Sequence, residues 1–174
     1  MLKAAFNCYS TAAKQGHVGA RYKLADCYTL GRGTKIDCKL SFKLIKELYD
    51  TGDDTEACLI VAIAGCYLYG DGVDKDPKEA FKYFSLVAEQ GNAKAQTYVG
   101  QCYLYGAGVD KDDKEAFKYF SLAAEQGNAN AQFQVGKCYA HGWGVDKDPK
   151  KAFTYLSLAA DQGYADAQYK ITFT

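Results

Sequence analysis

Apolar residues in this chain fall three and four positions apart in short runs, and the runs return at a fixed interval. Between Asp112 and Gly127, Ala116, Phe117, Phe120, Ala123 and Ala124 line one side of a helix. Past the glycine, Ala129, Ala131, Val135, Gly136 and Tyr139 predict a second helix from about Asn128 to His141. We call the first kind helix B and the second helix A. A Gly-x-Gly pair then leads back to the next Asp, at Gly31/Gly33, Gly70/Gly72, Gly106/Gly108 and Gly142/Gly144. Links this short force neighbouring helices to run antiparallel.

The segment KEAFKYFSLVAEQGNAKAQ starts at Lys78 and returns as KEAFKYFSLAAEQGNANAQ at Lys114 and KKAFTYLSLAADQGYADAQ at Lys150, two steps of 36 residues. Phe6, Phe42, Phe81, Phe117 and Phe153 are in register, as are Gly16, Gly52, Gly91, Gly127 and Gly163. The step from Phe42 to Phe81 is 39 because three extra residues lie between Gly52 and Tyr67. The chain therefore reads as one array over 1–174 of about four and a half copies of a two-helix unit. It begins with a half-unit of helix B (1–16). Units 17–52, 53–91 (with the insertion), 92–127 and 128–163 follow, and a half-unit of helix A (164–174) comes last. A helix pair this short cannot bury its own apolar face, so units must stack.

Local chemistry agrees. Asp37, Asp76, Asp112 and Asp148 recur where a side-chain oxygen can take the free amides of helix B. Pro77 and Pro149 suit the first helical position. Glu79 and Glu115, three residues after their Asp, suggest a capping box. Gly127 ends its helix, and Gly100 and Gly136 are expected to let helix B of the same unit approach closely.

These residues resemble the Sel1-like repeat, a relative of the tetratricopeptide repeat. The pattern is matched in the 92–127 unit by Ala93, Ala95, Val99, Gly100, Tyr103, Gly106, Gly108, Val109, Asp112, Ala116, Ala123, Ala124 and Gly127. Departures come early: Thr34 stands for the loop Val, and Ala25 and Ala64 for the Gly. The resemblance implies an all-α fold, an α/α solenoid of antiparallel helix pairs wound as a right-handed superhelix with helices A on a concave face. It also implies an adaptor role in protein complexes.

Positions that vary between copies mark where recognition could be written. On helix A they fall at i, i+4, i+7 and i+11, which is one face. The first place holds Gly19, Lys94, Asn130 and Asp166, and the second Lys23, Ala62, Tyr98 and Gln134. The third holds Asp26, Gly65, Gln101 and Lys137, and the fourth Leu30, Tyr69, Tyr105 and His141. Trp143 adds an aromatic at a turn position held elsewhere by Arg32, Asp71 and Ala107. The partner-binding candidates are therefore Lys23, Asp26, Tyr69, Lys94, Tyr98, Gln101, Tyr105, Asn130, Gln134, Lys137, His141 and Trp143. Tyr, amides and both charge signs suit a peptide or partner helix better than a phosphate backbone. Neutral drift on a solvated face is the bland alternative.

Composition narrows the field. Hydrophobic residues make up 48% and charged residues 24%, enough to fold. Lys+Arg and Asp+Glu both total 21, with no general basic excess for nucleic acid or an anionic membrane. The first residues read as an amphipathic helix, without the apolar core of a signal peptide, and membrane insertion is not expected. Cys27, Cys66, Cys102 and Cys138 precede the constant Tyr of helix A and read as buried thiols. No C-x-x-C occurs, no catalytic, cofactor or metal site is expected, and reducing, cytoplasmic surroundings are favoured. The Gly-x-Gly pairs are turns without the company of a phosphate loop. Asp74/Asp76, Asp110/Asp112 and Asp146/Asp148 lack the twelfth-place Glu of a calcium loop. His17 and His141 lie in different units.

The expected function is a protein-interaction scaffold that takes a peptide or helix on helix A, and not an enzyme. The alternatives are a structural subunit of a larger complex or a head-to-tail homo-oligomer. The apolar Ala5, Phe6, Tyr9 and Ala12 of the first half-unit and Ala165, Ala167, Tyr169, Ile171 and Phe173 of the last suggest self-association. A hydrolase of the penicillin-binding type, attributed to relatives, is the remote alternative.

Overall fold

The structure, a computed structural model, describes residues 1–52 and 56–172, with side chains through Tyr169. Residues 53–55 in the region of the insertion, the Ile171 side chain and Phe173 lie outside that description. Among the described residues the chain is all helix and turn. Helices of the B kind are α1 (Leu2–Lys14), α3 (Cys38–Asp50), α5 (Pro77–Ala88), α7 (Asp113–Glu125) and α9 (Pro149–Asp161). Those of the A kind are α2 (Val18–Leu30), α4 (Ala57–Tyr69), α6 (Ala93–Tyr105), α8 (Ala129–His141) and α10 (Ala165–Thr172). The fold is the expected solenoid of helix pairs, with two compact units, Met1–Tyr83 and Phe84–Thr174.

Aspartate caps start helices B as expected. Asp76 Oδ1 accepts from the amides of Lys78 and Glu79 at 3.0 and 3.1 Å, and Asp112 and Asp148 repeat the arrangement. Pro77 and Pro149 open α5 and α9. The capping box takes a different form. The amide of each cap residue, which a box glutamate would accept from, donates instead to the carbonyl of the helix-A tyrosine. Asp37 N reaches Tyr28 O at 2.9 Å, Asp76 N reaches Tyr67 O at 2.9 Å, and Asp112 and Asp148 reach Tyr103 and Tyr139 at 3.0 Å. Glu79 and Glu115 pair with Lys82 and Lys118 one turn on.

In Met1–Tyr83, α2 packs on both α1 and α3. The Phe6 ring meets Tyr28 edge-on at 5.5 Å, and Phe42 meets Tyr67 at 5.4 Å. Tyr67 also stacks on Tyr83 at 5.8 Å. The second glycine of the turn, Gly72, has φ +80° and lies so close to the Cys38 carbonyl at the start of α3 that a Cβ would overlap it.

In Phe84–Thr174, α8 lies between α7 and α9. Tyr139 of α8 takes the edge of Phe117 at 5.4 Å and the face of Tyr155 at 5.9 Å. Gly144 rests on the Asp113 carbonyl as Gly72 rests on that of Cys38. Two helix glycines admit large rings and side chains: a Cβ on Gly100 would sit 2.6 Å from the Phe120 ring, and one on Gly136 2.8 Å from Leu156 Cγ. Buried glutamines tie the helices further. Gln96 Nε2 donates to Ala88 O at 3.3 Å while its Oε1 accepts from Gln126 at 2.8 Å. Gln132 repeats both bonds with Ala124 and Gln162.

Two helix glycines give opposite expectations. Gly100→Ala pushes against a fully buried ring and should lower stability by about 1–3 kcal/mol. Gly65→Ala meets nothing within 4 Å in mid-helix and should raise stability by roughly 0.5–1 kcal/mol through restricted backbone entropy. Urea unfolding followed by circular dichroism checks both signs.

Candidate interaction face on helices A

Three of the helices A, α2, α6 and α8, begin at an Asn or His whose side chain accepts the third amide. Asn92 takes Ala95 N at 3.0 Å, Asn128 takes Ala131 N at 2.9 Å, and His17 Nδ1 takes Ala20 N at 3.3 Å. They end at a left-handed glycine such as Gly106 or Gly142. Both ends being fixed, the rotation of the helix sets which of the variable residues reach solvent.

In Met1–Tyr83, exposed Lys23 and half-buried Asp26 stand one turn apart on α2. They line a cavity of about 230 Å³ with Tyr9 of α1 and Arg32 of the following turn. Tyr69, at the end of α4, is 63% exposed.

In Phe84–Thr174 the variable residues separate into two depths. On α6, Lys94 and Tyr105 are exposed, the latter at 68%, and Gln101 is half-buried. Tyr98 stacks on the buried ring of Phe84 at 4.5 Å and so belongs partly to packing. On α8, Gln134 is only 8% exposed; its Nε2 donates to Asn130 Oδ1 at 3.4 Å, and its Oε1 is buried without a hydrogen bond. Further along, the Lys137 ammonium lies 5.6 Å from the Phe133 ring centroid and 5.4 Å from that of Trp143. The exposed His141 ring stacks on Trp143 at 4.7 Å. Trp143 itself also packs on the core formed by Phe120, Val135 and Cys138, among others.

Lys137, His141 and Trp143 thus form one cluster, and Asn130 and Gln134 form a pair. Phe133 is the member that inspection of the variable positions passed over. Its place, one turn before Lys137, was the available signal. Arg32 was likewise noted only as the residue in Trp143's turn position.

All seven cysteines are free, and Cys27, Cys102 and Cys138 are buried while Cys66 is half-buried. Burial pushes the thiols of Cys66, Cys102 and Cys138 up to about 11, which keeps them protonated and poor nucleophiles. Among the described residues, no group of three or more His, Cys, Asp and Glu is arranged to hold a metal ion. No described helix is long and apolar enough to cross a membrane.

The unit that carries this face, with an Asp cap at one end, a left-handed glycine at the other and a shared tyrosine between, is matched five times over by the Sel1 repeat model, at residues 2–17, 18–53, 55–92, 93–128 and 129–164. This chain belongs to the Sel1 repeat family.

Solved Sel1-type structures agree. A Sel1 repeat protein from Oxalobacter formigenes superposes with a TM-score of 0.85 at 28% identity, over 95% of this chain and 64% of that one. A protective antigen of uropathogenic Escherichia coli strains, displaying an SLR fold, gives 0.80 at 28% identity over 95% of this chain and 35% of that one. An immunity protein from Pseudomonas aeruginosa gives 0.60 at 26% identity over 93% and 59%. This chain thus spans from about a third to less than two thirds of the length of these proteins. No curated protein matches it in sequence. Sel1 repeat proteins generally act as scaffolds for protein interaction rather than as enzymes.

The buried thiols of this Sel1 repeat protein predict a pH dependence. The thiols of Cys66, Cys102 and Cys138 each have a folded pKa raised above the ordinary value of about 8.5–9, so the folded state holds the proton longer than the unfolded state does. The stabilising share of each is complete below about pH 8.5 and is lost as pH rises towards about 11, on the order of 1 kcal/mol per pH unit per thiol. Burial raises the Tyr103 phenol and adds the same sign at higher pH. Thermal melts across this range should decline less steeply for Cys102→Ala/Cys138→Ala than for the parent chain, whatever the offset at neutral pH.

Proposed function

We propose that this Sel1 repeat protein is an adaptor that holds a peptide or partner helix on the exposed face of its helices A. The observation that carries the reading is the cluster on α8, where a lysine is held over two rings at the helix surface with His141 stacked alongside. The helix caps do not use it, and Lys137 keeps its charge half-exposed. Tryptophan is among the residues that dominate binding energy in protein interfaces, and Trp143 is the ring this cluster is built on. A side chain already held against rings also loses less freedom when a partner arrives. Exposed Tyr105 on α6 extends the same chemical character, while Tyr98 and Gln134 support the face from beneath.

The test is selection of binders from a displayed library of random peptides, followed by titration calorimetry. Tyr105→Ala and Lys137→Glu should each weaken the selected peptides about tenfold, and Lys150→Ala on α9 should leave them unchanged, with all melts matching the parent. Binders that keep full affinity for both helix-A variants would overturn the proposal.

A second reading, assembly with copies of itself, is favoured by the exposure of Leu2 on α1 and of Phe153 and Tyr169 on α9 and α10, at 62%, 59% and 69%. Sedimentation across a wide concentration range should then show mass rising with concentration, and a constant monomer mass would end it.

A further inference from the structure

Helices B carry a different surface, independent of the helix-A face. Leu86, Leu122 and Leu158 stand 36 residues apart on α5, α7 and α9, all within Phe84–Thr174, and are 42%, 41% and 44% exposed. Packing does not call for them: these helices bury Phe84, Val87 and Ala88, Phe120, Ala123 and Ala124, and Leu156 and Ala159 on their inner sides. In the Met1–Tyr83 unit, Thr11 and Glu47 hold the corresponding places.

Three residues after each leucine come Glu89, just past the end of α5, and Glu125 and Asp161, the last residues of α7 and α9, all exposed. Among the described residues these carboxylates make no ion pair or hydrogen bond. Four residues before Leu122, Lys118 is occupied by Glu115 at 3.0 Å. The row is therefore apolar along its middle and acidic, without counter-charge, along one edge.

We infer that this row docks an amphipathic helix of a partner protein, with its apolar stripe on the leucines and lysines or arginines along the flank that meets Glu89, Glu125 and Asp161. Spacing favours a helix. Packed helices stand about 8–10 Å apart, and α7 and α9 both pack on α8, so the leucines of α7 and α9 recur at a spacing of roughly 10–20 Å. A helix rises ~10.5 Å over seven residues. Leucines at i, i+7 and i+14 of one partner helix match the lower end of that range.

The experiment uses the full chain and fluorescein-labelled synthetic helices at physiological salt. One peptide carries Leu at i, i+7 and i+14 with a lysine flank, a second has the same composition scrambled, and a third has glutamate in place of the flanking lysines. The first should bind at least tenfold more tightly than the others by fluorescence anisotropy. Leu86→Gln/Leu122→Gln/Leu158→Gln should reduce that binding at least tenfold with an unchanged melt. Glu89→Lys/Glu125→Lys/Asp161→Lys should transfer the preference to the glutamate-flanked peptide. Lys137→Glu and Tyr105→Ala should have no effect, which separates this surface from the helix-A face. Equal binding of the scrambled peptide, or undiminished binding by the leucine variant, overturns the inference. It is overturned too if the leucine substitutions abolish self-association on sedimentation yet leave peptide binding as it was, since the occupant would then be a second copy.

Discussion

The helices A from α2 to α8 are each held through one tyrosine, which serves its neighbours twice. The ring of Tyr67 or Tyr139 takes the edge of a phenylalanine from the preceding helix B and the face of a tyrosine from the following one. Its backbone carbonyl takes the amide of the aspartate that caps that following helix. Each aromatic contact adds about 0.5–1.5 kcal/mol beyond the area it buries. The carbonyl bond has a larger geometric effect, because it fixes where the next helix starts relative to the last. The Gly-x-Gly turn depends on the same point: the chain must pass directly over the first carbonyl of the preceding helix B, and Gly72 and Gly144 are the residues that allow it. Phenylalanine, tyrosine, aspartate and glycine recur in register because they are parts of one contact.

That arrangement explains which surfaces are open to specialise. Helix A is enclosed by helices B on two sides, so its free face is narrow and the variable positions at its margins are drawn into packing. Tyr98 stacks on Phe84, and Gln134 is nearly buried. Positions further along the helix, Gln101, Tyr105, Lys137 and His141, lie clear of that contact. Helices B such as α7 and α9 also pack on a helix A on either side, and the leucine row still stays about two-fifths exposed, where the Met1–Tyr83 unit has Thr11 and Glu47. The two faces differ in character, one mixed in charge and aromatic, the other apolar with an acidic edge. A scaffold that joined two partners would need such a difference to keep them from competing.

Much of this was legible in the sequence because the repeat compares the chain with itself. The period, the caps at Asp76, Asp112 and Asp148, the helix-opening prolines and the close approach at Gly100 and Gly136 each leave a residue whose chemistry has few other uses. The cap glutamates misled because the S/T/D-x-x-E pattern describes a helix start in isolation. Here the amide a capping box would use is already bonded to a tyrosine carbonyl from another helix, a contact that local spacing does not reveal. Gln96 and Gln132 were invisible for a related reason: an amide among apolar neighbours looks like a solvated residue until the carbonyl of Ala88 or Ala124 is found beside it. Variation between copies located the helix-A stripe but not its depth, since depth depends on the size of the side chain opposite.

The same logic bears on why recognition can change without loss of the fold. Contacts that hold a helix come from its immediate neighbours, so stability is close to a sum of local terms. Lys137 lies over Phe133 and Trp143, outside the Phe117–Tyr139–Tyr155 contact that holds α8. Replacing it alters the charge presented while leaving that contact intact. Trp143 is different, for it touches both the cluster and the core beneath, and its position holds Arg, Asp or Ala in the other turns. A tryptophan there couples the half-exposed cation to the packed interior. A side chain held against packed rings loses less freedom when a partner arrives, which supports the proposal that a partner is held at α8.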